Sequence, residues 1–105
     1  MGSVAKAIGL CFAAWLVPLA VSFLVVVIAA GATQHWGAAR AQWVVGALLL
    51  TELALFAAAS FLLWWGLSSL ITATAARVLV FGLHASLQIA TFAILGFSTL
   101  VAFNR

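Results

Sequence analysis

Carboxylates are nearly missing from this sequence. Glu52 is the only acid among 105 residues, and charged side chains of both signs make up 5% of the chain. A water-soluble domain carries about 25%, so this chain cannot cover its surface with charge, and bulk water is excluded as its main solvent. Cysteine is as scarce: Cys11 stands alone, which excludes an intrachain disulfide. No His/Cys set has zinc-ligand spacing, no glycine-rich loop could cradle a phosphate, and no Ser, His and Asp order suggests a nucleophile. With no catalytic constellation, the expectation is a protein that is not an enzyme and holds no metal.

What is present is apolar. Hydrophobic residues make up 69% of the chain, and the mean hydropathy is +1.38. Three runs, at about 7–30, 43–65 and 78–103, each exceed the 18 residues needed to cross about 30 Å of hydrocarbon as a helix. They lack the strict alternation of barrel strands and are rich in Ala and Leu. The expected fold is all-α: a single polytopic integral membrane domain, with three transmembrane helices in an antiparallel bundle. The breaks are "GATQHWGAAR" and "GLSSLITATAAR"; the second offers Ser68, Ser69, Thr72 and Thr74 as helix N-caps. The first run is longer than a signal-peptide core of about 7–15 residues, so it reads as a retained helix.

The four basic residues, Lys6, Arg40, Arg77 and Arg105, all lie at or near run ends. They suit lipid headgroups, and they form no basic stripe of the kind nucleic acid requires. Three spans put Lys6 and Arg77 on one side of the membrane (side A) and Arg40 and Arg105 on the other (side B), so the positive-inside rule assigns no orientation. The choice between a bacterial inner membrane and an organellar or cellular one is equally open. Trp43 and Trp64 are separated by roughly 31 Å of helix. Trp43 on one side, and Trp64 with Trp65 on the other, are expected interface anchors.

Helical periodicity sorts the polar residues. Measured from His84 at about 100° per residue, Arg77, Gln88, Thr91 and Ser98 all fall within about 40° of one face. On the first span, Cys11, Trp15, Pro18, Ser22 and Ala29 share a face, with Pro18 expected to kink the helix. Depth places Glu52 roughly 14 Å inside side B, near the level of Ser22. The expectation is a mid-membrane polar cluster of Glu52, Ser22, Gln88 and Thr91. With no cation at its depth, Glu52 is expected to be the neutral acid.

Two readings stay open for Glu52. One is an interhelical hydrogen bond that fixes register; the other is a proton or cation site, the usual suspicion for an intramembrane carboxyl. His84 is a candidate axial ligand for a haem or chlorophyll-type pigment. A bis-His haem would need a second transmembrane His, and His35 lies in a loop. A structural hydrogen bond is therefore the simpler reading of His84. Opposite the polar faces, Gly82, Ser86, Ala90 and Ala93 on the third span form a ridge of small residues. Ala47, Ala54, Ala57 and Ala58 on the second form another. Such ridges let membrane helices approach closely, so the expected partners are the lipid bilayer and other transmembrane subunits or copies of this chain.

Two families share features with the chain. Its length resembles that of small multidrug resistance transporters, but their functional Glu lies in the first of four spans. "LLTELALFAAAS" is faintly similar to the second-helix Glu segment of the smallest membrane subunit of respiratory complex I. That subunit has a further Glu in its third helix, where this chain reads "LHASLQIATF", and its paired basic residues are reduced here to Arg40. The chain is assigned to neither. The function expected is an accessory or assembly subunit of a larger membrane complex. The alternatives are a homo-oligomeric proton-coupled transporter or channel using Glu52, and a cofactor-holding subunit using His84.

Overall fold

A computed structural model describes residues 2–103. The chain forms three helices, α1 (Gly2–Ala32), α2 (Ala38–Leu70) and α3 (Thr74–Ala102). Each has the length and apolar composition to cross a bilayer. The bundle is 53 Å long and 19 × 16 Å across. It exceeds the hydrocarbon thickness of about 30 Å, so the helix ends extend into the headgroup layers. The turns are short, and consecutive helices therefore run antiparallel. α2 packs against both neighbours, while α1 and α3 approach each other least.

The helices are longer than the apolar runs. Hydropathy marks where the hydrocarbon ends, but backbone hydrogen bonding continues past that point, so most of "GLSSLITATAAR" is helical. This changes the expected caps. Ser68 and Ser69 lie in the last turn of α2 and donate to the carbonyls of Trp65 and Gly66. Thr72 sits in the turn and Thr74 is already the first residue of α3. The N-cap of α3 is Ala73, with no side-chain cap.

Two apolar clusters hold the ends. On side A, Ala7, Leu63 and Leu67 are buried, with Leu10, Val80 and Phe81 against them. On side B, Val26, Ala41, Leu48 and Phe103 form the second cluster. Gly66 allows the close approach of α1 and α2: a Cβ there would lie 2.5 Å from Leu10 Cδ2. Gly66→Val is expected to cost about 1–2 kcal/mol of stability by overpacking. Detergent-unfolding curves would measure it, and Leu10→Ala should recover part of the loss.

Outside these clusters the helices present large apolar side chains. Phe23, Phe61, Trp43, Ile89 and Phe97 are each more than half exposed. In water that surface would drive aggregation; in lipid it is the solvated face.

Candidate functional site

Between the two apolar clusters the interior carries buried polar side chains. Ser22, Glu52, His84, Gln88 and Thr99 are all buried. They divide into two groups at different depths.

The side A group ties α3 to the backbone of α1. His84 Nε2 lies 2.9 Å from the Cys11 carbonyl oxygen. A carbonyl only accepts, so Nε2–H is the donor; Nδ1 is buried without a partner. One turn further in, Gln88 Nε2 donates to the Ala14 carbonyl at 2.9 Å. That carbonyl is four residues before Pro18, the position whose N–H would normally bond it. Pro18 has no N–H, and its ring pushes that carbonyl aside. Gln88 takes the place of the missing helical donor. The proline expected to disturb α1 thus lies within a continuous helix, with its orphaned acceptor satisfied from α3. Next, Trp15 Nε1 donates to Thr91 Oγ1 at 2.9 Å, and Thr91 Oγ1 donates to the Leu87 carbonyl at 2.8 Å.

The second group lies deeper toward side B. Glu52 Oε1 and Thr99 Oγ1 are joined by a 2.8 Å hydrogen bond, and Thr99 Oγ1 is also 2.9 Å from the Leu95 carbonyl. The register that sets Leu10 against Gly66 and clusters Val26 with Leu48 places Ser22 level with Glu52. Glu52 Oε2 and Ser22 Oγ are both buried without a hydrogen-bond partner.

The expected cluster of Glu52, Ser22, Gln88 and Thr91 is therefore arranged differently. Ser22 and Glu52 share a level, but Gln88 and Thr91 bond to α1 instead. Glu52 bonds Thr99, a residue the sequence reading passed over. Its signal in the sequence is weak: Thr99 lies about 60° from His84 on the helical wheel, just outside the roughly 40° stripe of Arg77, Gln88, Thr91 and Ser98. The buried line of α3 runs through His84, Gln88, Leu95, Gly96 and Thr99, centred about 50° from His84 toward Thr99. That rotation turns Ser98 out, where it donates to the carbonyl of Ile94 in its own helix.

Thr91 and Thr99 are eight positions apart, about 12 Å of axial rise. Buried Leu95 and the edge-on pair Phe56 and Phe92, 6.2 Å apart, occupy that interval. The polar groups do not form a continuous file through the described bundle. No cluster of three or more His, Cys, Asp or Glu residues among the described residues could hold a metal ion.

Toward the ends of the bundle, Trp43 and Trp65 are exposed. Trp64 is edge-on to Phe81 at 5.1 Å and lies under Arg77, whose Cζ is 5.0 Å from the ring centroid. On side B, Arg40 sits 5.3 Å over Trp36, and His35 is exposed in the turn. Arg105 lies outside the described residues.

These features define a small multi-pass membrane protein of three apolar helices. Comparison with known proteins finds no matching family model, no similar curated protein and no similar solved structure.

Proposed function

We propose that this protein is a non-catalytic accessory or assembly subunit, whose three-helix bundle packs against transmembrane helices of other proteins. The observation that carries this reading is how the interior polar groups are used. His84, Gln88, Thr91 and Thr99 bond across helices within the bundle, and an apolar interval separates their two groups. Such bonds fix register and rotation, as expected of a scaffold. The outer small-residue ridges stay open: Gly82, Ser86, Ala90 and Ala93 are exposed, as are Ala47, Ala54, Ala57 and Ala58. A Cβ at Gly82 would meet nothing within 4 Å. Another apolar helix fits there by close backbone approach.

Gentle extraction followed by native mass measurement tests this. The expected result is a mass that is not a whole multiple of the 11.0 kDa chain, the remainder being one or more foreign subunits. Gly82→Leu should leave bundle stability within about 0.5 kcal/mol, since the position is open, yet release those subunits. A discrete homo-oligomer with no foreign chain would overturn the reading.

A second reading is favoured by one feature. Glu52 Oε2 and Ser22 Oγ, level with each other and buried, have no partners, which is the arrangement a proton or cation site needs. Flux across liposomes that Glu52→Gln abolishes would establish coupling at this carboxyl. If flux is unchanged by Glu52→Gln, the transporter reading falls.

A further inference from the structure

We infer that the side A end of the α2–α3 seam is a binding site for one anionic phospholipid, with its phosphate on Arg77 and an acyl chain along the adjoining aromatic groove. Arg77 is half-buried in the first turn of α3. Its guanidinium stacks over Trp64 at 5.0 Å, which fixes a long, flexible side chain in one place. Its Nε is buried with no hydrogen-bond acceptor. No counter-ion serves it: the only acid of the chain is Glu52, which is engaged with Thr99 deep in the bundle. Lys6, exposed at the same end, adds positive charge. A positioned, unpaired guanidinium at headgroup depth is a fork for phosphate oxygens.

The groove supplies the second half. Phe61, Trp64, Val78 and Phe81 line an open depression of about 400 Å³. Trp64 belongs to both parts: one ring carries Arg77 and forms a wall of the groove. α2 runs toward side A and α3 away from it, so Phe61, Val78 and Phe81 all lie deeper in the membrane than Arg77. The site is thus charged at the headgroup level and apolar below it. An anionic phospholipid has that order of groups. A zwitterionic lipid carries the phosphate but also a cation that Arg77 repels, and a free anion has nothing to place in the groove. The site does not rest on the assembly reading: it belongs to the chain free of partners, since Val78 and Phe61 lie one turn from Gly82 and Ala57 on the same helix faces.

The experiment titrates the purified full-length chain in detergent with phosphatidylglycerol, with phosphatidylcholine of the same acyl chains, or with inorganic phosphate, and counts bound lipids by native mass spectrometry. Phosphatidylglycerol should bind at about fivefold lower concentration than phosphatidylcholine, the ratio that one basic residue at a membrane surface supplies. Arg77→Gln should abolish the difference. Arg40→Gln, at the other end of the bundle, should leave it intact. Arg77→Lys retains the charge and should retain part of the preference, which separates lost binding from lost folding. Val78→Trp, which fills the groove, should weaken phosphatidylglycerol binding with Arg77 in place. An unchanged preference in Arg77→Gln, or phosphatidylglycerol binding indifferent to Val78→Trp, would overturn the proposal. So would inorganic phosphate competing as strongly as the lipid.

Discussion

Thr99→Val is expected to destabilise the bundle by about 2–3 kcal/mol. The substitution keeps the side-chain shape and removes the only hydrogen bond the structure gives the Glu52 carboxyl. Oε2 already has no partner, so both oxygens would then be bare in a hydrocarbon-like interior. Glu52→Leu should cost less than Thr99→Val, because it removes the polar group along with its bond. The Thr99 hydroxyl left behind still has the Leu95 carbonyl at 2.9 Å. The double variant Glu52→Leu/Thr99→Val should be more stable than Thr99→Val alone, since replacing both partners with apolar groups removes the unmet carboxyl. Coupling between the two positions is expected at about 1–2 kcal/mol, the upper range for hydrogen bonds between membrane helices. Unfolding titrations in mixed detergent on the four proteins give this cycle directly. Additive single effects would mean that Glu52 and Thr99 do not act as a pair.

Gln88→Leu should show a dependence on Pro18 that no generic polar contact would. In the native chain the Ala14 carbonyl has no helical donor because position 18 is proline, and Gln88 Nε2 supplies the bond. Gln88→Leu leaves that carbonyl bare and is expected to cost about 1–3 kcal/mol. In a Pro18→Ala background, the new N–H at position 18 satisfies the carbonyl within α1. There the same Gln88→Leu substitution should cost less than about 1 kcal/mol, because only the weaker net bond is lost. Amide hydrogen exchange of α1 gives an independent readout. Gln88→Leu should raise exchange around residues 14–18 in the native background and leave it unchanged with Ala at 18. Equal penalties for Gln88→Leu in both backgrounds would sever Gln88 from Pro18.

The two pairs show what sequence periodicity can and cannot find. The inward faces of α1 and α3 are legible in the wheel: Pro18, Ser22, His84 and Gln88 were all placed on them, and all are buried. Thr99 was missed because a face drawn around His84 is uncertain by half a residue step. That is enough to exchange Thr99 for Ser98. Polarity and depth alone pair Gln88 with Glu52, since both are polar and near mid-depth. The competing acceptor, the Ala14 carbonyl, is a backbone group with no side-chain signature. Its only trace in the sequence is Pro18, four residues further on.

Composition, run length and the lack of strict alternation determined that the chain is a membrane protein of three helices, because only helices and closed barrels satisfy a backbone in an apolar solvent, and these runs have no barrel pattern. Only the tertiary structure decided the axial register and the rotation of α3, and with them the partners of Glu52 and Gln88. The physical reason is that lipid tails and leucine side chains are equally apolar, so burial alone favours no particular sliding or turning of one helix against another. The choice falls to close packing, as at Gly66 and Leu10, and to a few directional bonds that must meet in three dimensions.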